Sequence, residues 1–133
     1  NAAALALGET LEVAWRLRGR LSGLRRLVVV LEGVEQATYR RGTDSYTVRE
    51  TFVSTTMVDV AETGAMASGR ASVAIPRDTM HSFTGGNNVI AWSLHLKGVV
   101  HRWPDIDERY PIVVLPVPLD EIDKSEDRPW KTS

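Results

Sequence analysis

A chain of 133 residues with 43% hydrophobic and 25% charged residues fits one ordinary folded domain and argues against disorder. Its 16 basic and 17 acidic residues leave a net charge of −1, so no overall field would draw in nucleic acid or an anionic membrane. There is no cysteine, which removes disulfide frameworks, thiolate zinc sites and cysteine nucleophiles together, and no apolar run approaches the length needed to cross a bilayer.

The start, Asn1 to Leu7, is short and has neither a basic leader nor an initiator methionine. It reads as a cut site followed by native chain, so the chain is expected to be one domain of a longer protein. Any membrane association would then lie in the missing part of that parent. The lack of cysteine and of a signal peptide favours the cytoplasm.

Gly8 opens the first predicted strand, in which Leu11, Val13, Trp15 and Leu17 share one face and Glu12 and Arg16 lie on the other. A glycine-containing loop, Arg18 to Gly23, leads to Leu24–Val34, whose β-branched run favours a strand. Its near-continuous apolarity suggests a central position. The strand is expected to continue through Ala37 and Tyr39 to a turn at Arg41–Ser45. Tyr46–Val60 is long for one strand, and a bulge or bend is expected near Ser54, Thr55 and Thr56. Ala61–Gly69 reads as a flexible polar loop with room for one helical turn, and Arg70–Pro76 as a short strand closed by proline.

Gly85-Gly86-Asn87-Asn88 is a hairpin-like turn, because glycine and asparagine tolerate positive φ. The most informative segment follows. In Val89–Lys97 the even positions Ile90, Trp92, Leu94 and Leu96 are large and apolar, and the odd ones are mostly small or polar. That alternation is a half-buried strand of a two-layer protein. It is expected to run on to Trp103 with a kink at Gly98. Asp105 to Glu108 reads as an acidic turn, and Tyr110–Pro118 as a last strand whose prolines confine it to an edge or turn those positions away from the ladder.

About seven short strands with polar turns, and no amphipathic helix of ten or more residues, predict an all-β, two-sheet antiparallel immunoglobulin-like sandwich over residues 1–118. Trp15 and Trp92 are expected in its core. Residues 119–133 form a charged tail with a helical turn over 120–124.

The succession Ile75-Pro76, Ser82-Phe83, Gly85-Gly86, Ile90-Ala91-Trp92-Ser93-Leu94 and Ile112 to Pro116 resembles the second half of an arrestin-like domain. It covers roughly a third of the chain. The resemblance implies one immunoglobulin-like sandwich and a role as a protein-binding or trafficking scaffold. Its motifs are turn and core residues, so it brings no catalytic residue with it.

The candidate chemistry is sparse. His95 and His101 would share a strand face about 20 Å apart at roughly 3.3 Å per residue, too far for one metal, and His81 lies on another element. Ser82 beside His81 points to the opposite face of an extended chain, and no nucleophile elbow is present. Solvated or hydrogen-bonded histidines are therefore expected, with no metal, no cofactor and no enzyme. Arg16 and Arg18 should project from one face, with Arg20 just beyond, and Arg25 and Arg26 begin the next strand. If those strand ends meet, a basic patch would receive an acidic peptide, a phosphate or a lipid headgroup. Trp103 is expected to pack over a sheet edge; its other reading is a ring that stacks on a sugar beside Asp105 and the acidic turn.

The expected function is thus a non-enzymatic protein-binding or scaffolding module. Its partner is a protein or peptide, not nucleic acid, taken up at an exposed strand edge or at the arginine-bearing end. The alternative is a sandwich that binds a carbohydrate or small ligand through Trp103 and the acidic turn.

Overall fold

The computed structural model describes residues 3–18 and 22–117; Arg20 and the expected tail at 119–133 lie outside the described residues. Two sheets face each other. Sheet I runs β1 (Ala3–Ala6), β8 (Ile106–Leu115), β7 (Asn88–Val100), β3 (Leu24–Arg41) and β4 (Asp44–Val60), with the two-residue β6 (Phe83–Thr84) also paired to β7. Among the described residues sheet II is β2 (Thr10–Arg16) and β5 (Ser68–Ala74). A short helix α1 (Thr63–Ala67) joins β4 to β5. All pairs are antiparallel except β1 with β8, which are parallel.

The core forms because each sheet turns one alternating row inward. From sheet II come Leu11, Val13 and Val73, and from sheet I Leu31, Trp92, Ile112 and Val114. Trp92 is 1% exposed, and its indole N–H donates to the carbonyl of Met80 at 2.9 Å. The ring meets Phe52 edge to face, with centroids 5.4 Å apart. Gly33 is the residue paired with Trp92, and a Cβ there would lie 2.8 Å from the Phe52 ring, so glycine makes room for that stack. A second cluster of Leu24, Leu27 and Met66 takes Trp15 and Leu17 against it. Both indoles thus turn inward as expected, Trp15 only half-buried.

The structure departs from the sequence reading at several points. The expected bulge in β4 is two bulges, because the register with β3 skips Met57 and again Phe52, on either side of Ser54–Thr56. Each re-aims a large side chain toward the core that polar threonines could not fill. The helical turn allowed for in the polar loop forms as α1, but its Met66 is 1% exposed, because the side chain enters the cluster of Leu24 and Leu27. Strand β7 stops at Val100, short of Trp103, and its ladder passes Gly98 without a shift. Glycine stands there because a Cβ would meet both Ile106 and Leu24 at 3.2 Å.

The last strand begins at Ile106, so Asp107 and Glu108 belong to it and not to a turn. It is also not at an edge, since β1 covers Ile112–Leu115. Pro111 falls immediately before the described part of β1, where among the described residues β8 has a neighbour on one side only. Beyond the core, the far half of the β3–β4 hairpin extends into solvent, with Tyr39 paired to Tyr46 and Arg41 placed 5.7 Å over the Tyr46 ring.

Candidate functional site

Among the described residues sheet II has two strands where sheet I has five in a row, and that inequality leaves part of the inner face of sheet I open. The amide of Leu17 donates to the Ala67 carbonyl at 2.7 Å, and that of Ile75 to the Glu9 carbonyl at 2.8 Å. Both pairs continue the β2–β5 register, in which Thr10 faces Ala74 and Arg16 faces Ser68. In an antiparallel ladder the directly bonded pairs alternate. The odd residues of β2 therefore spend their backbone groups on β5. Thr10, Glu12, Ala14 and Arg16 turn theirs to the free edge, where no strand pairs with them among the described residues.

Beside that edge lies a groove of about 360 Å³. One wall is β2 itself, from Val13 to Leu17, and the floor is the inner face of sheet I at Val29, Leu94, Leu96 and Tyr110. The floor is apolar because alternation puts those positions inward, and open because among the described residues sheet II ends at β2. Tyr110 is 48% exposed, and its hydroxyl donates to the Glu108 carboxylate, which raises the phenol above its ordinary range. The outward residues on the same strand, Arg16 and Arg18, are both exposed.

A second cleft, of about 570 Å³, brings together two of the residues singled out from sequence, Arg18 and Trp103, with Leu17, Val100, His101 and Ile106. Trp103 does not pack over a sheet edge: it is 74% exposed. The chain leaves β7 at Val100 and turns through Arg102 at φ 65°, which carries the indole away from the sheet. The remaining candidates are scattered. Arg16 and Arg25 lie on different sheets, and neither lines this cleft. The guanidinium of Arg26 is held by Asp59 through bonds of 2.7 and 2.6 Å, so its charge is engaged.

The acidic turn is dispersed as well. The Asp105 carboxylate accepts the Val100 amide at 3.3 Å, Asp107 faces His95, and Glu108 binds Tyr110. The hydroxyl of Ser82 accepts the Val114 amide at 2.8 Å, while the Ser82 amide donates to the Val114 carbonyl at 2.7 Å. Ser82 thus splices the segment before β6 onto β8.

A polar cluster on the outer face of sheet I was not legible from the residues alone. His95 is 4% exposed; its Nε2 lies 2.5 Å from an Asp107 oxygen and its Nδ1 3.5 Å from Glu32. The guanidinium of Arg109 also binds Glu32. The members come from β3, β7 and β8, and only the register, His95 opposite both Val30 and Arg109, joins them. The hydrogen bond to His95 holds the Asp107 carboxyl below its ordinary value of 3.8, with Arg109 and Lys97 adding to the effect. A carboxyl depressed in the folded state stabilises fully above its unfolded pKa and loses that contribution as pH falls through the folded one. Melting temperatures across about pH 2.5–6 should therefore show Asp107→Asn below the parent at the upper end, with the gap closing toward the acid end. A gap that stays constant with pH would remove Asp107 from this account.

No protein-family model matches the chain, and none of the curated protein sequences does. Among solved structures it is similar to Spo0M, a sporulation control protein from Bacillus subtilis, with a TM-score of 0.52 and 12% identity. The likeness covers 92% of this chain and 51% of that one, so the chain spans about half of that protein's length. At this identity the likeness concerns architecture. The chain is an all-β, two-sheet sandwich, and the neighbour loosely supports an arrestin-like arrangement of it. Among the described residues no helix is long and apolar enough to cross a membrane.

Proposed function

We propose that this domain is a non-enzymatic binding module that takes up an extended segment of a protein partner as a third strand of sheet II. The observation that supports this reading most directly is the edge of β2, unpaired among the described residues, beside the apolar groove over Leu94, Leu96 and Tyr110. Each element supplies part of what such a partner needs. The backbone groups of Glu12, Ala14 and Arg16 offer ladder hydrogen bonds, which give affinity without regard to sequence. The groove takes alternate side chains, which gives selectivity. Closing it would also remove apolar surface from water at roughly 25 cal/mol per Å².

The test is a display library of random decapeptides panned on the domain, with the bound complex followed by amide resonances. Selected peptides are expected to alternate apolar and polar residues, and to shift and protect the amides of Thr10, Glu12, Ala14 and Arg16. Ala14→Pro removes one free-edge N–H and none of the β2–β5 bonds, so it should abolish binding and leave the fold intact. Peptides that perturb only residues elsewhere, or that bind Ala14→Pro equally well, would end this reading.

A further inference from the structure

Resting on that reading, we infer that the segment received at the β2 edge alternates aliphatic with acidic residues, its acidic side chains set opposite Arg16 and Arg18. The parity of the edge supports this. A strand added to β2 bonds to the even residues, so its outward side chains stand opposite Glu12, Ala14, Arg16 and, just past the strand, Arg18. Directly opposed side chains in an antiparallel pair lie about 5 Å apart at Cβ, close enough for unlike charges to attract and like charges to repel. Arg70, paired across β2 with Ala14 and facing outward, adds a third guanidinium diagonal to Arg16. None of these three arginines has an ion-pair partner among the described residues, in contrast to Arg26 and Arg109. Three free positive groups against the single carboxylate of Glu12 make this strip basic on a chain whose net charge is −1.

The inward side chains of the same segment have different requirements. They stand opposite Val13, Trp15 and Leu17 and descend on Val29, Leu94 and Leu96, where a charge would be desolvated with no partner. Glu108, bound to Tyr110 at the groove floor, further opposes an inward carboxylate. The sequence selected is therefore apolar inward and acidic outward, with a neutral or basic residue opposite Glu12. That last position fixes the register, since sliding the segment by two residues would place an acid against Glu12.

A second copy of this chain fits the edge less well. The floor of the groove is sheet I itself, reaching under the free edge as far as Tyr110 on β8. A copy pairing β2 to β2 would need its own sheet I in that same space, whereas a single strand needs only the groove.

The experiment measures fluorescence anisotropy with three end-capped decapeptides that alternate valine with polar residues, serine standing opposite Glu12 and the remaining polar positions being glutamate, serine or lysine. Each is titrated onto the domain, onto Ala14→Pro and onto the Arg16→Glu, Arg18→Glu double variant. The glutamate peptide is expected to bind about tenfold more tightly than the lysine peptide, with serine between them. The double variant should reverse that order, and raising the salt should weaken the preference. The two arginines are exposed, so their reversal does not endanger folding; circular dichroism and melting of Ala14→Pro check that variant. Equal affinities, or a lysine preference, with binding still lost in Ala14→Pro would overturn the acidic partner and leave strand addition standing. Failure of all three peptides, or binding untouched by Ala14→Pro, would overturn both. A dimer in sedimentation that dissociates in Ala14→Pro would assign the edge to a second copy instead.

Discussion

Replacing Trp92 by alanine should lower the unfolding free energy by about 3–5 kcal/mol, read from equilibrium urea denaturation. The side chain is the largest of the fully buried ones at 1% exposure, and three separate supports vanish with it. The cavity left among Leu11, Leu31, Ile112 and Val114 lies where both sheets contribute, so neither can collapse into it alone. The edge-to-face contact with Phe52 goes, and with it the reason for the bulge that aims Phe52 inward. The Met80 carbonyl loses its donor in a partly buried setting, which carries its own desolvation penalty. Against a total stability of about 5–15 kcal/mol for a domain, such a loss brings the variant near its unfolding threshold. A loss under about 1 kcal/mol would mean that the indole is not in the core and that the β7 register is wrong by one residue.

That prediction could be made from sequence because period-two alternation is a local signal. Ile90 to Leu96 announces its inward face without reference to any other strand, and so does Leu11 to Leu17. The same holds for the central position of β3, whose outer face is also apolar at Val28 and Val30, with Val30 only 6% exposed. What alternation does not encode is which strands neighbour one another, or how many strands complete a sheet. The groove depends on sheet II stopping at β2 among the described residues, and no residue of β2 records that. The His95 cluster depends on three strands in register, with Glu32 and Asp107 separated by most of the chain. A histidine at an outward position was legible; its burial was not, because the flanking long side chains that cover it come from β3 and β8. Trp103 shows the reverse error. Its size argued for packing, but the left-handed turn at Arg102, which aims it outward, is a backbone event that no composition rule anticipates.

Met66 marks the limit of local reading most sharply, and its removal should have the second large effect. Gly64, Ser68 and Gly69 around it suggested a polar loop, yet the side chain is 1% exposed against Leu24 and Leu27. Met66→Ala should therefore cost about 2–5 kcal/mol, although alanine is at least as good a helix former in α1. The exposed neighbour Glu62, replaced by alanine, serves as the control and should change stability by no more than about 0.5 kcal/mol. Equal effects at the two positions would restore the polar-loop reading. The consequence should also reach the edge of sheet II. The indole N–H of Trp15 donates to the Met66 carbonyl at 3.2 Å, and the Leu17 amide to that of Ala67 at 2.7 Å, so α1 fixes the end of β2. Trp15 and Leu17 lean on the cluster that Met66 fills. Once it is emptied, amide exchange at Leu17 should quicken and peptide affinity should fall along with global stability. In Trp92→Ala, under conditions where it remains folded, the groove wall stays supported and affinity should hold. That split between the two core variants distinguishes a binding edge built on α1 from one that merely needs a folded domain.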